Sequence, residues 1–201
     1  MKSIVALIIS IIITSSIVAQ DVQDGDIIFN ISNSSQSIAI EKATHSKYSH
    51  TGIIFFKDTI PFVLEAVQPV RYTKLSKWIK LGRKNHYVVK RLKNRDSLLT
   101  QETIKEMKRV GENFLHNDYD IYFNWSDKEL YCSELVWKVF KRGGDIELCN
   151  LHKLKEYDLT HSEVSRLMKK RYGENPPLEE FMVSPQDIFE SDLLIEVINK
   201  K

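Results

Sequence analysis

His50-Thr51-Gly52-Ile53-Ile54-Phe55-Phe56-Lys57-Asp58-Thr59-Ile60-Pro61-Phe62-Val63-Leu64-Glu65-Ala66-Val67 holds two apolar strands, Thr51 to Phe56 and Phe62 to Val67, on either side of a turn at Lys57 to Pro61. His50 leads straight into the first strand, and Glu65 interrupts the second. A carboxylate buried there without a partner is costly, so Glu65 needs either a partner or a route to water. A four-residue turn over Phe56 to Thr59 sets His50 directly opposite Glu65, with Cβ atoms about 5 Å apart. A two-residue turn at Asp58-Thr59 makes the pair diagonal on the same face, and an odd-length turn puts the two residues on opposite faces. The simplest alternative is a strand-end histidine and a glutamate at the sheet rim.

Working outward, Gly25-Asp26 opens a strand, Ile27 to Ile31, with Ile27, Phe29 and Ile31 on one face. Ser34 or Ser35 is placed to cap a short helix over Gln36 to Ala43. Tyr87 to Leu92 reads as a further strand. Thr100 caps a helix carrying Ile104, Met107, Val110 and Phe114 at helical spacing. A second amphipathic helix runs from Cys132 to Lys141, with Leu135, Val136, Val139 and Phe140 as its stripe. Beyond the Gly143-Gly144 break, Cys149 to Leu154 is a loop or flap. Thr160-His161-Ser162-Glu163 has the form of a capping box, with Gly173 closing that helix, and Ser184-Pro185-Gln186-Asp187 starts a last short one. Strands come early and helices late, which predicts an α+β fold.

The chain has 201 residues, 29 Lys+Arg against 27 Asp+Glu and a net charge of +2, or +1 without Lys2. That near balance excludes a nucleic-acid binder working through a broad basic field and a strongly acidic solvating domain. At 42% hydrophobic and 10% aromatic residues the chain is globular, not disordered, and its length suits one domain. Two cysteines, Cys132 and Cys149, are too few for a disulfide framework or a four-cysteine zinc site. Lys2, the apolar run Ile4 to Ile13 and the small-residue ending at Ala19 predict a secretory signal over residues 1–19. The run is short for a membrane span, which takes roughly 20 apolar residues. The expectation is a single domain over residues 20–201, exported to the periplasm or secreted, with no membrane span after cleavage.

Tyr131-Cys132-Ser133-Glu134 places a thiol at the start of a helix, where the dipole favours thiolate and free N–H groups can hold an oxyanion. With an imidazole nearby, this spot combines nucleophile, base and oxyanion site. Spacing alone leaves other readings open: a buried core thiol, a disulfide to Cys149, or a zinc site from His45, His50 and Cys132.

The segments Gly25 to Phe29, Ser35 to Ser37, Ala43 to Ser46, Tyr48 to Gly52, Glu65-Ala66 and Tyr131 to Glu134 together resemble the YiiX-like family of circularly permuted papain-like cysteine hydrolases, within the NlpC-type superfamily. The resemblance continues through Pro69 to Thr73, Trp78-Ile79, Trp125 to Asp127, Arg171 to Gly173 and Val183 to Gln186. It implies a permuted papain-like fold, an antiparallel sheet or barrel packed against helices. It also implies Cys132 as nucleophile, His50 as general base and Glu65 as the residue orienting the imidazole. Tyr119 and Ser133 are implied as oxyanion or substrate contacts, with no cofactor and no metal.

The function this implies is an amidase or peptidase acting through a thioester acyl-enzyme on a peptide or N-acyl amide, with a peptidoglycan stem peptide as one substrate. The alternatives are a lipid N-acyl amide hydrolase or acyltransferase and a non-catalytic exported binding protein. No nucleic-acid partner is expected.

Overall fold

The computed structural model describes residues 21–34 and 36–200, so the signal segment at residues 1–19 and Ser35 lie outside the described residues. Six strands form one sheet: β1 (Ile27–Ser32), β2 (His50–Lys57), β3 (Ile60–Glu65), β4 (Arg71–Lys74), β5 (Gly82–Leu92) and β10 (Leu194–Lys200). Their order across the sheet is β10-β5-β1-β2-β3-β4, every pair antiparallel. The C-terminal strand β10 thus returns to the edge of a sheet otherwise built from the first half of the chain. Its apolar run, Leu193 to Ile198 broken only by Glu196, was not among the strands expected from the sequence.

The strands are apolar on both faces because both faces are covered. Ile27, Phe29, Ile53, Phe55, Leu64 and Val88 point to one side and Ile28, Ile54, Val63, Tyr87 and Val89 to the other, as the two-residue side-chain period requires. The first face packs against α4 (Gln101–Glu112) and α5 (Cys132–Gly144), through Ile104, Met107, Val110, Leu135, Val136, Val139 and Phe140. The second is closed by α2 (Leu75–Leu81), whose Trp78 is fully buried. Side chains of this size stabilise the fold by about 1.5–3 kcal/mol each on burial. The close approach of α4 and α5 depends on Gly143, where a Cβ would stand 2.6 Å from the Cα of Met107.

The remaining elements are α1 (Ser37–Ala43), the single turn α3 (Arg95–Leu98), α6 (Ser162–Tyr172), α7 (Pro185–Phe189) and two short ribbons. In one ribbon β6 (Asp118–Tyr119) pairs in parallel with β7 (Glu129–Leu130). In the other β8 (His152–Lys153) pairs antiparallel with β9 (Phe181–Met182), which replaces part of the expected loop after Cys149.

Local capping signals were read well in some places and not in others. Thr100 Oγ1 accepts from Thr103 N, and Ser184 with Asp187 forms a capping box ahead of Pro185. The α1 cap is different: Ser34 offers its carbonyl to Ser37 N at 3.1 Å, and no side chain caps the helix. The box expected from Thr160 and Glu163 does not form either. Thr160 Oγ1 donates to Asp158, and the cap is His161, whose Nδ1 accepts from Glu163 N at 3.2 Å. Among the described residues no helix is long and apolar enough to cross a membrane.

Candidate active site

The β2–β3 turn holds two residues, Asp58-Thr59, with Lys57 paired to Ile60 and Ile53 to Leu64. Of the registers open to the sequence, this is the diagonal one. One step further along the ladder Glu65 falls opposite Gly52, so His50 and Glu65 share a face two residues out of register. The long side chains span the diagonal: His50 Nε2 lies 2.7 Å from Glu65 Oε2. Gly52 makes room for this, since a Cβ there would meet the carbonyl oxygen of Leu64 at 2.7 Å.

Glu65 is 1% exposed and its charge is fully accounted for. Trp78 Nε1 donates to Oε2 at 2.8 Å, and Thr73 Oγ1 donates to Oε1 at 2.6 Å. Arg71 Nε stands 3.9 Å from Oε1. Burial works against the carboxylate, but His50, Thr73 and Trp78 outweigh it and hold its pKa below the ordinary value. Trp78 also stacks beside the imidazole, with ring centroids 5.8 Å apart. Thr73 and Trp78 were not assigned a role from the sequence. Both lie in segments that carry the family resemblance, Pro69 to Thr73 and Trp78-Ile79.

Because a carboxylate only accepts, Nε2 of His50 carries the hydrogen that faces Glu65. The remaining ring nitrogen, Nδ1, is then the one left for Cys132, which is near enough to act on the imidazole's charge. Burial disfavours the imidazolium, but the contacts with Cys132 and Glu65 overcome it and push the His50 pKa up to about 10. Cys132 is 3% exposed and is the first residue of α5, with Tyr131 as the N-cap in extended conformation. Leu135 N makes the first intrahelical bond, to Tyr131 O, so the earlier N–H groups of this turn have no partner within the helix. Glu134 Oε2 accepts from Tyr131 N at 3.4 Å, and its other oxygen accepts from Lys138 Nζ at 2.7 Å, both residues being buried. This holds the first turn of α5.

Tyr119 reaches the site through the β6–β7 ribbon, which sets it beside Leu130, two residues before Cys132. Gln68 Oε1 accepts from Tyr119 N at 2.7 Å and fixes the strand. Burial above all, and then proximity to Cys132, raise the phenol's pKa. Ser133 is expected as an oxyanion or substrate contact. Its Oγ is buried and donates to Val183 O at 2.7 Å, so what it can present to a substrate is its backbone N–H.

The disulfide and zinc readings of the cysteines find no support among the described residues. Cys132 and Cys149 are both free thiols. Burial pushes the Cys149 thiol up to about 12, which makes it inert beside Asp187 and Glu147. His45 is largely exposed and pairs with Asp158 at 3.2 Å, so it does not join His50 and Cys132 in a zinc site. Among the described residues no group of three or more His, Cys, Asp or Glu side chains is arranged to hold a metal ion.

Two recesses meet at this point, with Tyr119 in the wall of both. On the Cys132 side lies a small recess of about 80 Å³ between α1 and α6, lined mainly by carbon: Ile40, Ala43, Leu167, Met168 and Met182. On the His50 side lies a larger one of about 280 Å³ with mixed walls, whose polar part includes Asn30, Ser32, Ser49 and Gln68.

The chain is similar to known proteins over most of its length. The profile of the family described as "Permuted papain-like amidase enzyme, YaeF/YiiX" matches residues 21–198. The protein YiiX of Escherichia coli strain K12 is 44% identical over 191 residues, which is 95% of this chain and 93% of that protein. The fold is similar to the crystal structure described as metalloprotein YiiX from Escherichia coli O157:H7, with a TM-score of 0.85 and 45% identity over 90% of this chain and 98% of that one.

Proposed function

This chain belongs to the permuted papain-like amidases of the YaeF/YiiX type, and from that membership we propose that Cys132, His50 and Glu65 are its catalytic triad, cleaving an amide that joins an apolar acyl group to a polar amine. The observation that carries the choice of substrate is the carbon-lined recess opening at Cys132. A stem peptide of the cell wall offers such a lining little beyond methyl groups, whereas an alkyl chain gains about 0.8 kcal/mol per buried CH₂. The recess therefore favours the lipid N-acyl amide over the cell-wall peptide.

The steps follow from where the groups stand. With its proton already on His50 Nδ1, the Cys132 thiolate attacks the amide carbon with the acyl chain in the apolar recess. Backbone N–H groups of the first turn of α5 and the Tyr119 hydroxyl receive the oxyanion. As the C–N bond breaks, His50 returns its proton to the amine, which leaves into the polar recess on the imidazole's side. Water, deprotonated by His50, then cleaves the thioester and releases the acid and the free thiol. Glu65 holds the imidazole in the required tautomer throughout.

The related crystal structure is described as that of a metalloprotein. The donors here do not fit one: both oxygens of Glu65 are taken by protein donors, which leaves Cys132 and His50 as a pair without a third ligand. No step is routed through a metal.

The test is to offer N-octanoyl amino acids, N-acetyl amino acids and muropeptides to the protein, with Cys132→Ala as control. Release of octanoate, with an octanoyl thioester on Cys132 seen by mass spectrometry, supports the reading. Turnover of muropeptides alone returns the substrate to the cell wall, and turnover of none favours a binding protein. Export, read from residues 1–19, is tested by fractionating cells that express the chain with and without that segment.

A further inference from the structure

Tyr119 is held by a short chain of hydrogen bonds to which the mechanism above gives no part. Arg171 Nη2, near the end of α6, donates to Gln36 Oε1 at 2.5 Å. Gln36 Nε2, at the N-cap of α1, donates to the Tyr119 hydroxyl oxygen at 2.7 Å. The guanidinium is itself placed over the Phe123 ring, 4.8 Å from its centroid.

The chemistry of the three groups fixes the direction of every hydrogen. A guanidinium has donors only, so the Gln36 atom that faces it is the carbonyl oxygen, and the amide cannot be turned over. The atom facing Tyr119 is therefore the NH₂, which has no lone pair to offer. The phenol oxygen accepts from it, and the phenol's own hydrogen must point elsewhere. Tyr119 lines both recesses beside Cys132, so the space left to that hydrogen includes the point where the carbonyl oxygen of a substrate would sit.

We propose that Gln36 and Arg171 are positioning residues that turn the Tyr119 O–H toward the oxyanion formed when Cys132 attacks. The inference rests on the reading of Cys132 as nucleophile. Burial keeps the phenol protonated, as a donor must be. Gln36 lines the recess on the imidazole's side and Arg171 the apolar one, but in this role both act through Tyr119.

The decisive variant is Gln36→Glu. A carboxylate of the same shape still accepts from Arg171, but toward Tyr119 it can only accept, and so draws the phenol hydrogen away from the oxyanion. With p-nitrophenyl octanoate as probe, kcat is expected to fall about 100-fold with KM little changed, the scale of losing one oxyanion donor. Alkylation of Cys132 by iodoacetamide should keep its wild-type rate, because attack on a saturated carbon builds no oxyanion. Arg171→Met should slow turnover as well, with Arg171→Lys recovering part of it. In a Tyr119→Phe background, Gln36→Glu should have no further effect.

Wild-type kcat in Gln36→Glu overturns the proposal. So does a parallel loss of alkylation and turnover, or additive losses in the double variant, since each marks a merely structural role. If the wild type releases no more p-nitrophenolate than Cys132→Ala, the hydrolase reading itself fails and the proposal goes with it.

Discussion

His50 Nε2 and Glu65 Oε2 stand 2.7 Å apart across a diagonal of the β2–β3 hairpin, and the same Glu65 oxygen also accepts from Trp78 Nε1. One carboxylate thus serves an imidazole, an indole and, through its second oxygen, the Thr73 hydroxyl. Removing it strands several donors at once.

Glu65→Ala is accordingly expected to cost more than the loss of one ion pair. Each buried donor left unpaired costs about 1–3 kcal/mol. Urea unfolding should show a loss of at least about 2 kcal/mol. Thr73→Val, which removes one donor and keeps the shape, should cost about 1 kcal/mol. A Glu65→Ala midpoint equal to wild type would mean that these contacts are not made.

The raised pKa of His50 makes stability depend on pH with a definite sign. Between the unfolded value near 6.5 and the folded value of about 10, the native state holds a proton that the unfolded chain has lost, so stability falls as pH rises. The contribution is fully present below 6.5 and gone above the folded value. Glu65 behaves oppositely, stabilising above its ordinary pKa and losing that effect as pH falls through its lowered one. Unfolding measured from pH 6.5 to 10 should therefore decline more steeply in wild type than in His50→Ala. Equal slopes would show that His50 is not held as the cation.

Lys138 is 1% exposed and donates to Glu134 at 2.7 Å, Asp127 at 2.8 Å and Ser126 O at 2.5 Å. Lys138→Met takes the cation from Glu134, a carboxyl that burial under the first turn of α5 already pushes up to about 7. The expected loss is about 3–5 kcal/mol, with part of it recovered in the double variant with Glu134→Gln. Chemical denaturation of the three proteins measures this, and a single variant within 1 kcal/mol of wild type would contradict it.

Gly143→Ala tests the α4–α5 contact. The added Cβ meets the Met107 backbone at 2.6 Å, so the helices must part. A loss of about 1–3 kcal/mol is expected in thermal or urea unfolding. Gly173→Ala, where nothing lies within 4 Å but φ is +64°, tests backbone strain alone.

Ala43→Phe places a ring in the apolar recess beside Cys132. Turnover of p-nitrophenyl octanoate should fall at least about 10-fold through KM, since several CH₂ groups lose their place, while the acetate ester is processed as before. Equal effects on both esters would separate the recess from acyl binding.

What could be read from the sequence was whatever short stretches of chain settle among themselves. Alternation marked β1, β2 and β3, helical spacing marked α4 and α5, and Thr100, Ser184 and Pro185 marked helix starts. The helix start at Cys132 was visible for the same reason, since a cap and an apolar stripe lie within one turn of each other. Packing decided the rest. Whether His50 met Glu65 turned on an even or an odd number of residues in a turn, a choice made by the sheet that both strands join. Thr73 and Trp78 reached Glu65 only once β4 and α2 had folded beside β3. Tyr119 came to Cys132 through a parallel pairing of two-residue strands, too short to leave a pattern. The apolar recess is built from α1 and α6, far apart in the chain and each too short to declare a partner. A side chain's partner across the fold is set by the balance of all the packed elements, and the residues next to it in sequence carry no record of that balance.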